Sequence, residues 1–167
     1  MAILASVCVG VVNVLFTVLA MQLIDRVGRR PLLSVSLAGM ASSLFVLGLA
    51  FSVQQLASSR GRLAVGSLMV YVGSFAVGLG PVFWLLLSEI YPQRIRGRAM
   101  SVGTIANWGV NLIVALTFLS VTQVLGKAGA FWAYGLVTVG AWFFSFFLVP
   151  ETKGQTLEQI EANWKVG

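Results

Sequence analysis

The chain has 167 residues, of which 58% are hydrophobic and 10% are charged, whereas a soluble domain carries roughly 25% charged residues. This composition excludes a soluble fold and predicts an integral membrane protein. The net charge of +6 is divided among short basic clusters between apolar segments, which excludes the continuous basic face of a nucleic-acid-binding protein.

The residue types that most often carry chemistry are scarce. The chain has no histidine and one cysteine, Cys8, so it lacks the usual ligands of a metal site and cannot form an intrachain disulfide. None of the five acidic residues lies at the centre of an apolar segment. We therefore predict no metal, no other cofactor and no enzyme activity.

Five apolar segments are each long enough to cross the roughly 30 Å hydrocarbon layer as a helix. They lie at about residues 2–24, 32–53, 63–87, 99–124 and 130–149. Since no basic stretch precedes the first segment and no cleavage site follows it, we interpret it as a span rather than a signal peptide. Residues 1–149 are thus predicted to form an all-α transmembrane bundle of five antiparallel spans.

The distribution of basic residues predicts the orientation of these spans. Eight basic residues would lie on the side that holds the C-terminus: Arg26, Arg29, Arg30, Arg94, Arg96, Arg98, Lys153 and Lys165. Three would lie on the other side: Arg60, Arg62 and Lys127. By the positive-inside rule, the C-terminus is predicted to be cytoplasmic.

The first span carries a face of small and polar residues. Ser6, Gly10, Asn13 and Thr17 recur at helical spacing, and Asn13 is the amide near the helix centre. An intramembrane amide favours either a cavity-facing position or a contact with a neighbouring helix. Both interpretations stay open for Asn13 from the residues alone.

The third span is predicted to bend near its centre, at Gly78, Gly80 and Pro81. Proline removes one helical hydrogen bond, and glycine weakens the helix around it. Phe75 precedes this stretch and Trp84 follows it by one turn. Broken helices at membrane depth occur where they line a substrate cavity, so the three residues are a candidate hinge; a static kink is the alternative.

The fourth span carries the longest polar stripe. Thr104, Asn107, Trp108, Asn111 and Ala115 share one helical face. Amides hydrogen-bond hydroxyl groups in both directions, and an aromatic ring packs on the C–H side of a sugar ring. The stripe therefore predicts a sugar site, with interhelical hydrogen bonding as the alternative.

Residues 150–167 are predicted to form a cytoplasmic tail. Pro150 ends the last span, and Thr156 with Gln159 has the spacing of a capping box. Leu157, Ile160 and Trp164 would share one face of a short amphipathic helix. The alternative is a frayed polar tail.

Four motifs occur in an order and at a spacing that resemble those of a known family. They are DRVGRR (25–30), GPVFWLLLSEIYPQRIRGRA (80–99), NWGVN (107–111) and PETKG (150–154). Together they resemble the sugar porter family of the major facilitator superfamily, which includes glucose facilitators and xylose– and hexose–proton symporters. The resemblance covers essentially the whole chain. It implies a carrier that moves monosaccharides, hexose or pentose, through a membrane by alternating access, and it points to the plasma membrane.

The resemblance also places the chain within that fold. The family has twelve spans in two six-helix halves, and the chain resembles spans eight to twelve. Five helices cannot complete this fold, so a fragment is expected, with the N-terminal transmembrane half as its missing partner. Proton coupling, if present, would depend on that missing half.

The resemblance implies two sets of site residues. The sugar-contacting set is Asn13, Asn107, Trp108 and Asn111, with Phe75 and Trp84 as lining aromatics. The second set, called here the cytoplasmic latch, consists of Asp25, Arg26, Arg29, Arg30, Glu89, Arg96 and Glu151. In the family, its charge pairs form when the cytoplasmic side is closed and break when that side opens.

A non-transporting protein is the alternative function: a sugar sensor on the same fold, or a truncated product that packs with partners. Sensors of this family tend to have long cytoplasmic tails. The tail after Pro150 is short, which favours the carrier.

Overall fold

A computed structural model of the chain describes residues 2–53 and 59–154, and the regular structure in these ranges is α-helical. The helices are α1 (Ala2–Val27), α2 (Arg29–Ser52), α3 (Arg60–Val77), α4 (Leu79–Ile90) and α5 (Gln93–Leu148). In the described ranges, four stretches are long and apolar enough to span a membrane: Ser6–Val27, Arg29–Ser52, Arg60–Ile90 and Gln93–Leu148. The third of these stretches consists of α3 and α4.

Helix α5 folds back on itself at Gly126. Its 56 residues would extend for about 84 Å as a straight helix. Gly126 interrupts the helix with φ 72° and ψ 167°, a backbone conformation that is essentially restricted to glycine. Phe118 and Tyr134, on opposite sides of Gly126, stack with ring centroids 6.1 Å apart, whereas a straight helix would separate them by about 24 Å. Residues 127–148 therefore run back alongside residues 93–125.

Helix α2 lies at the centre of the described helices. One side packs against α3 and another against the second half of α5. On the α5 side, the Trp132 indole lies directly on Gly48, and Phe51 stacks on Phe131 with centroids 5.6 Å apart. This central position explains why α2 has many more buried residues than α1, which is mostly exposed.

Helix α4 is joined to α2 through an apolar core. Ile24 at the end of α1, Leu32 and Leu33 on α2, and Val82 and Leu86 on α4 form one buried cluster. Between membrane helices such a contact is stabilised by close van der Waals packing, because lipid is as apolar as these side chains. The cluster therefore fixes α4 against the same end of α2 that carries Arg29 and Arg30.

The predicted third span is interrupted at Gly78, between α3 and α4, with φ −124° and ψ −79°. Pro81 lies in the first turn of α4. Proline is tolerated there because the first N–H groups of a helix have no intrahelical acceptor. The interruption therefore occurs at the first of the three candidate hinge residues, ahead of the proline.

The connections at the charged end are shorter than the predicted loops. Only Gly28 separates α1 from α2, and only Tyr91 and Pro92 separate α4 from α5. The chain after α5 is described as far as Gly154. The predicted tail helix, with Leu157, Ile160 and Trp164, lies outside the described residues.

Candidate functional site

Arg29 is the centre of an ion-pair network between α2 and α4. Its Nη2 donates to Oε1 of Glu89 at 2.9 Å, and its Nε donates to Oε2 of the same carboxylate at 3.3 Å. The two side chains are 12% and 19% exposed. Bidentate arginine–carboxylate pairs are among the stronger polar contacts in proteins. The pair thus holds the C-terminal end of α4 against the start of α2.

Glu151 caps the N-terminus of α2 from a distant part of the chain. Its Oε1 and Oε2 accept hydrogen bonds from the backbone N–H groups of Arg29 and Arg30, both at 3.0 Å. The preceding residue, Gly28, offers no side-chain cap. A carboxylate at this position satisfies free N–H groups and interacts favourably with the helix dipole. The segment after α5 is thereby fixed to the start of α2.

The surroundings of Glu151 change its pKa. Burial alone would raise the pKa of this carboxyl, but the backbone N–H groups of Arg29, Lys153 and Arg30 and the Arg29 charge together lower it below its usual value. Because the folded-state pKa is lowered, the contact stabilises the fold above the unfolded-state pKa. That stabilisation is lost as pH falls through the folded-state pKa.

The other predicted latch residues take different positions. Asp25 lies 3.4 Å from Nη1 of Arg29 but is 77% exposed. The Arg30 guanidinium contacts the Phe146 carbonyl and ring instead of an acid. The backbone carbonyl of Arg26 accepts a hydrogen bond from Lys153.

Arg96 is not part of the Arg29 network. Its Nε donates to the Tyr91 carbonyl at 3.4 Å, and its Nη2 is buried without a partner in the described part of the chain. The structure thus brings Asp25, Arg29, Glu89 and Glu151 together and leaves Arg96 apart from them. The role of this set in gating stays a prediction.

Thr152 belongs to the charged network although its position in the sequence did not predict it. This residue is 4% exposed, and its hydroxyl donates to Oε2 of Glu89 at 2.6 Å. Glu89 therefore binds α2 and the segment after α5 at the same time. The PETKG motif contains this threonine directly after Glu151. That its hydroxyl bonds to Glu89 depends on the fold and could not be read from the motif.

Gly28→Ala is expected to lower thermal stability. Gly28 has φ +104°, and a β-carbon there would lie 2.8 Å from Oε2 of Glu151. The backbone strain costs about 1–3 kcal/mol, and displacement of the carboxylate adds to it. Thermal unfolding in detergent measures the loss.

Gly154→Ala is the matched control for Gly28→Ala. Gly154 has φ +74°, but nothing lies within 4 Å of its β-carbon position. This variant therefore carries backbone strain without the contact with Glu151. An equal loss of thermal stability in the two variants would show that the contact between the added β-carbon and Glu151 contributes nothing to the effect of Gly28→Ala.

The predicted sugar-contacting amides are accessible and make few contacts. Asn13 and Asn111 are exposed and Asn107 is half-buried. Nδ2 of Asn111 donates to the backbone carbonyl of Asn107 at 2.8 Å within α5. None of the three amides bonds to another helix in the described ranges, so interhelical hydrogen bonding is not realised there. Trp108, beside them, is 66% exposed.

The two predicted lining aromatics flank the interruption at Gly78. Phe75 is 39% exposed and Trp84 is 36% exposed. The Phe75 ring lies close to Gly80, with Cε1 3.3 Å from the β-carbon position, and Trp84 meets Phe83 edge to face. Any change in the angle between α3 and α4 would therefore move Trp84 relative to Phe75.

The described cavities do not contain the predicted sugar-contacting set. One of about 370 Å³ lies between α1, α2 and α3, and one of about 270 Å³ lies between α2, α4 and α5. A third, of about 300 Å³, includes Arg62 and Ser67. None of the three is lined by Asn13, Asn107, Trp108, Asn111, Phe75 or Trp84. All six side chains are at least partly exposed, so a sugar held by them would also need a second surface.

The long apolar helices indicate a helical membrane protein, and the likeness to solved structures of the xylose symporter XylE gives it the major facilitator type of fold. The family model described as "Sugar (and other) transporter" matches residues 2–164. The chain therefore belongs to the sugar (and other) transporter family.

Individual relatives agree with this assignment. The chain is 41% identical to the D-xylose-proton symporter of Escherichia coli over 98% of its own length and 34% of the relative's. It is also 41% identical to the facilitated trehalose transporter Tret1 of Bombyx mori, over 98% of the chain and 33% of the relative. The chain thus spans about a third of the length of these relatives.

Solved structures give the same result. The proton:xylose symporter XylE bound to 6-bromo-6-deoxy-D-glucose matches with a TM-score of 0.88 and 41% identity, covering 98% of this chain and 35% of that structure. The inward-open conformation of XylE from E. coli matches with a TM-score of 0.85 and 43% identity, covering 98% and 36%.

Proposed function

We propose that the chain is the C-terminal part of a secondary transporter that moves monosaccharides, hexose or pentose, across a membrane by alternating access. The observation that carries the proposal is the Arg29 network, in which Glu89 and Glu151 join α2, α4 and the segment after α5. Partly buried ion pairs between helix ends can form in one conformation and break in another, which makes them suited to a two-state device.

The arrangement in the membrane is part of the proposal. The chain would cross the membrane five times, with α3 and α4 as one crossing and the two halves of α5 as two. The Arg29 network would lie on the cytoplasmic side, together with the C-terminus, because most basic residues lie there. The membrane would be the plasma membrane.

The partner implied by this proposal is an N-terminal transmembrane half. Residues 111–120 on the first half of α5 are all exposed, and such an apolar helix needs lipid or other helices around it. The accessible amides of α1 and α5 are then one wall of a sugar site. The other half would supply the opposite wall and any proton coupling.

Asn107→Ala is expected to raise the KM for sugar uptake about 30-fold or to abolish uptake. The amide would donate to one sugar hydroxyl and accept from another, and each lost hydrogen bond weakens binding by roughly 1 kcal/mol. Initial rates of labelled D-xylose and D-glucose uptake are measured in proteoliposomes that contain the full-length protein.

Thr117→Ala is the control for Asn107→Ala. Thr117 lies on the same half of α5, and its hydroxyl donates to the Ile113 carbonyl at 2.7 Å. This variant should keep the KM of the wild type. If Asn107→Ala also keeps that KM, the assigned sugar site is wrong.

The alternative is a membrane protein that does not transport and acts by packing with partners. The exposed helical face at residues 111–120 is compatible with such a role. A sugar sensor would bind sugar without moving it. Sugar binding to purified protein without uptake in proteoliposomes would favour this alternative.

A further inference from the structure

The break between α3 and α4 has a hydrogen-bond partner on α2. The backbone N–H of Leu79, the first residue of α4, donates to Oγ of Ser36 at 3.1 Å. In a continuous helix, this N–H would donate to the carbonyl of Phe75, four residues earlier. Ser36 is 1% exposed, so water does not compete for the bond. The serine thus holds the N–H that helix continuity would otherwise use.

The hydroxyl of Ser36 has a different hydrogen-bond acceptor from the hydroxyls of other serines on α2. Ser43 and Ser52 donate their hydroxyls to carbonyls four residues earlier in the same helix, at 2.8 Å and 3.0 Å. The Ser36 hydroxyl is instead 3.9 Å from Sδ of Met40. A hydroxyl oxygen keeps its lone pairs when its hydrogen is donated, so Ser36 can also accept the N–H of Leu79, as observed.

The backbone at the break lies directly on α2. A β-carbon at Gly78 would overlap the Ser36 side chain and lie 2.6 Å from the Leu32 carbonyl oxygen. This close approach brings the end of α3 within reach of Ser36. One turn of α2 therefore supplies both the surface on which the break rests and the acceptor for its free N–H.

We propose that Ser36 is a positioning residue for transport: by accepting the Leu79 N–H, it holds the α3–α4 break open and sets the direction of α4. The N–H has two alternative acceptors, Ser36 in the bent form and Phe75 in a straight form. The direction of α4 in turn determines where Trp84 and Glu89 lie. This inference rests on the proposed transport function.

The expected result concerns the position of the α4 end. In the full-length protein with Cys8 and every other cysteine replaced by serine, spin labels are attached at Leu49→Cys on α2 and at Gln93→Cys just after α4. Ser36→Ala should shift the distance distribution by about 6 Å, since straightening a kink of 20° or more displaces the end of this 12-residue helix by that amount. Ser43→Ala, a buried serine on the same helix, should leave it unchanged.

A second variant separates the hydrogen bond from general packing. Leu79→Pro removes the N–H at the first position of α4, where proline is tolerated, and makes the straight form impossible. In this background, Ser36→Ala should have no further effect on the distance. An equal shift with leucine or proline at position 79, or no shift in Ser36→Ala at all, would overturn the proposal.

Uptake measurements complete the test. Ser36→Ala should raise the KM for D-xylose at least threefold, because Trp84 moves, while Ser43→Ala keeps the wild-type KM. The spin-label distances are measured without sugar. A wild-type protein that carries no sugar would thus contradict the proposed function and leave the distance test of Ser36 intact.

Discussion

Under the proposed transport function, Glu89→Gln is expected to shift the full-length protein towards its inward-open state. The carboxylate accepts from Nε and Nη2 of Arg29 and from the Thr152 hydroxyl. Glutamine keeps one acceptor oxygen and turns an NH2 group towards these donors, which leaves the 12%-exposed arginine partly unpaired. The loss is about 2 kcal/mol, which corresponds to a population change of about 30-fold.

Thiol accessibility measures this shift. A membrane-impermeant reagent is applied from the cytoplasmic side to the full-length protein, in which Cys8 and every other cysteine are replaced by serine and Ser88→Cys is introduced near the end of α4. Glu89→Gln should accelerate the reaction by at least tenfold. Asp25→Asn is the control, because Asp25 is 77% exposed and exposed pairs contribute under about 1 kcal/mol. Equal rates in the wild type and Glu89→Gln would exclude a closing role for the Arg29–Glu89 pair.

Gly78→Ala is expected to prevent stable folding or to lower stability by about 3 kcal/mol or more. The added methyl group would meet the Ser36 side chain and the Leu32 carbonyl oxygen. Neither can yield easily, since one is backbone and the other is fully buried. The helices α2 and α3 would have to separate. Yield and thermal unfolding in detergent measure the effect.

Gly61→Ala is the matched control on α3. Nothing lies within 4 Å of its β-carbon position, and alanine is the better helix former by about 1 kcal/mol. This variant should be as stable as the wild type or slightly more so. If Gly78→Ala is as stable as the wild type and Gly61→Ala, Gly78 does not lie as close to α2 as described.

Much of the helical arrangement could be predicted from the sequence, because apolar length and proline chemistry act locally. A break near Pro81 could be predicted from the missing N–H of proline, although the structure places the interruption at Gly78, where the chain lies against α2. The partner of the break could not be predicted, since Ser36 is distant in sequence and resembles any other serine in an apolar helix. Its role appears only when α2 and α4 are adjacent.

At the helix ends that carry the Arg29 network, the residues could likewise be predicted but their pairings could not. The resemblance identified the charged residues at the helix ends, but pairing depends on which of them the fold brings within about 3 Å. Arg29 reaches Glu89, whereas Arg96 bonds to a backbone carbonyl of its own segment. The capping of α2 by Glu151 joins segments that are far apart along the chain. Local sequence patterns do not indicate which distant residues the fold brings into contact.

The most direct test of the proposed transport function is entrance counterflow. Proteoliposomes that contain the full-length protein are loaded with unlabelled D-xylose, D-glucose or trehalose and diluted into trace labelled sugar, with and without a pH gradient. A carrier of monosaccharides that works by alternating access should transiently accumulate labelled D-xylose or D-glucose inside the proteoliposomes, above the external concentration of the label. No accumulation of any of the three sugars by a correctly folded protein would contradict the account.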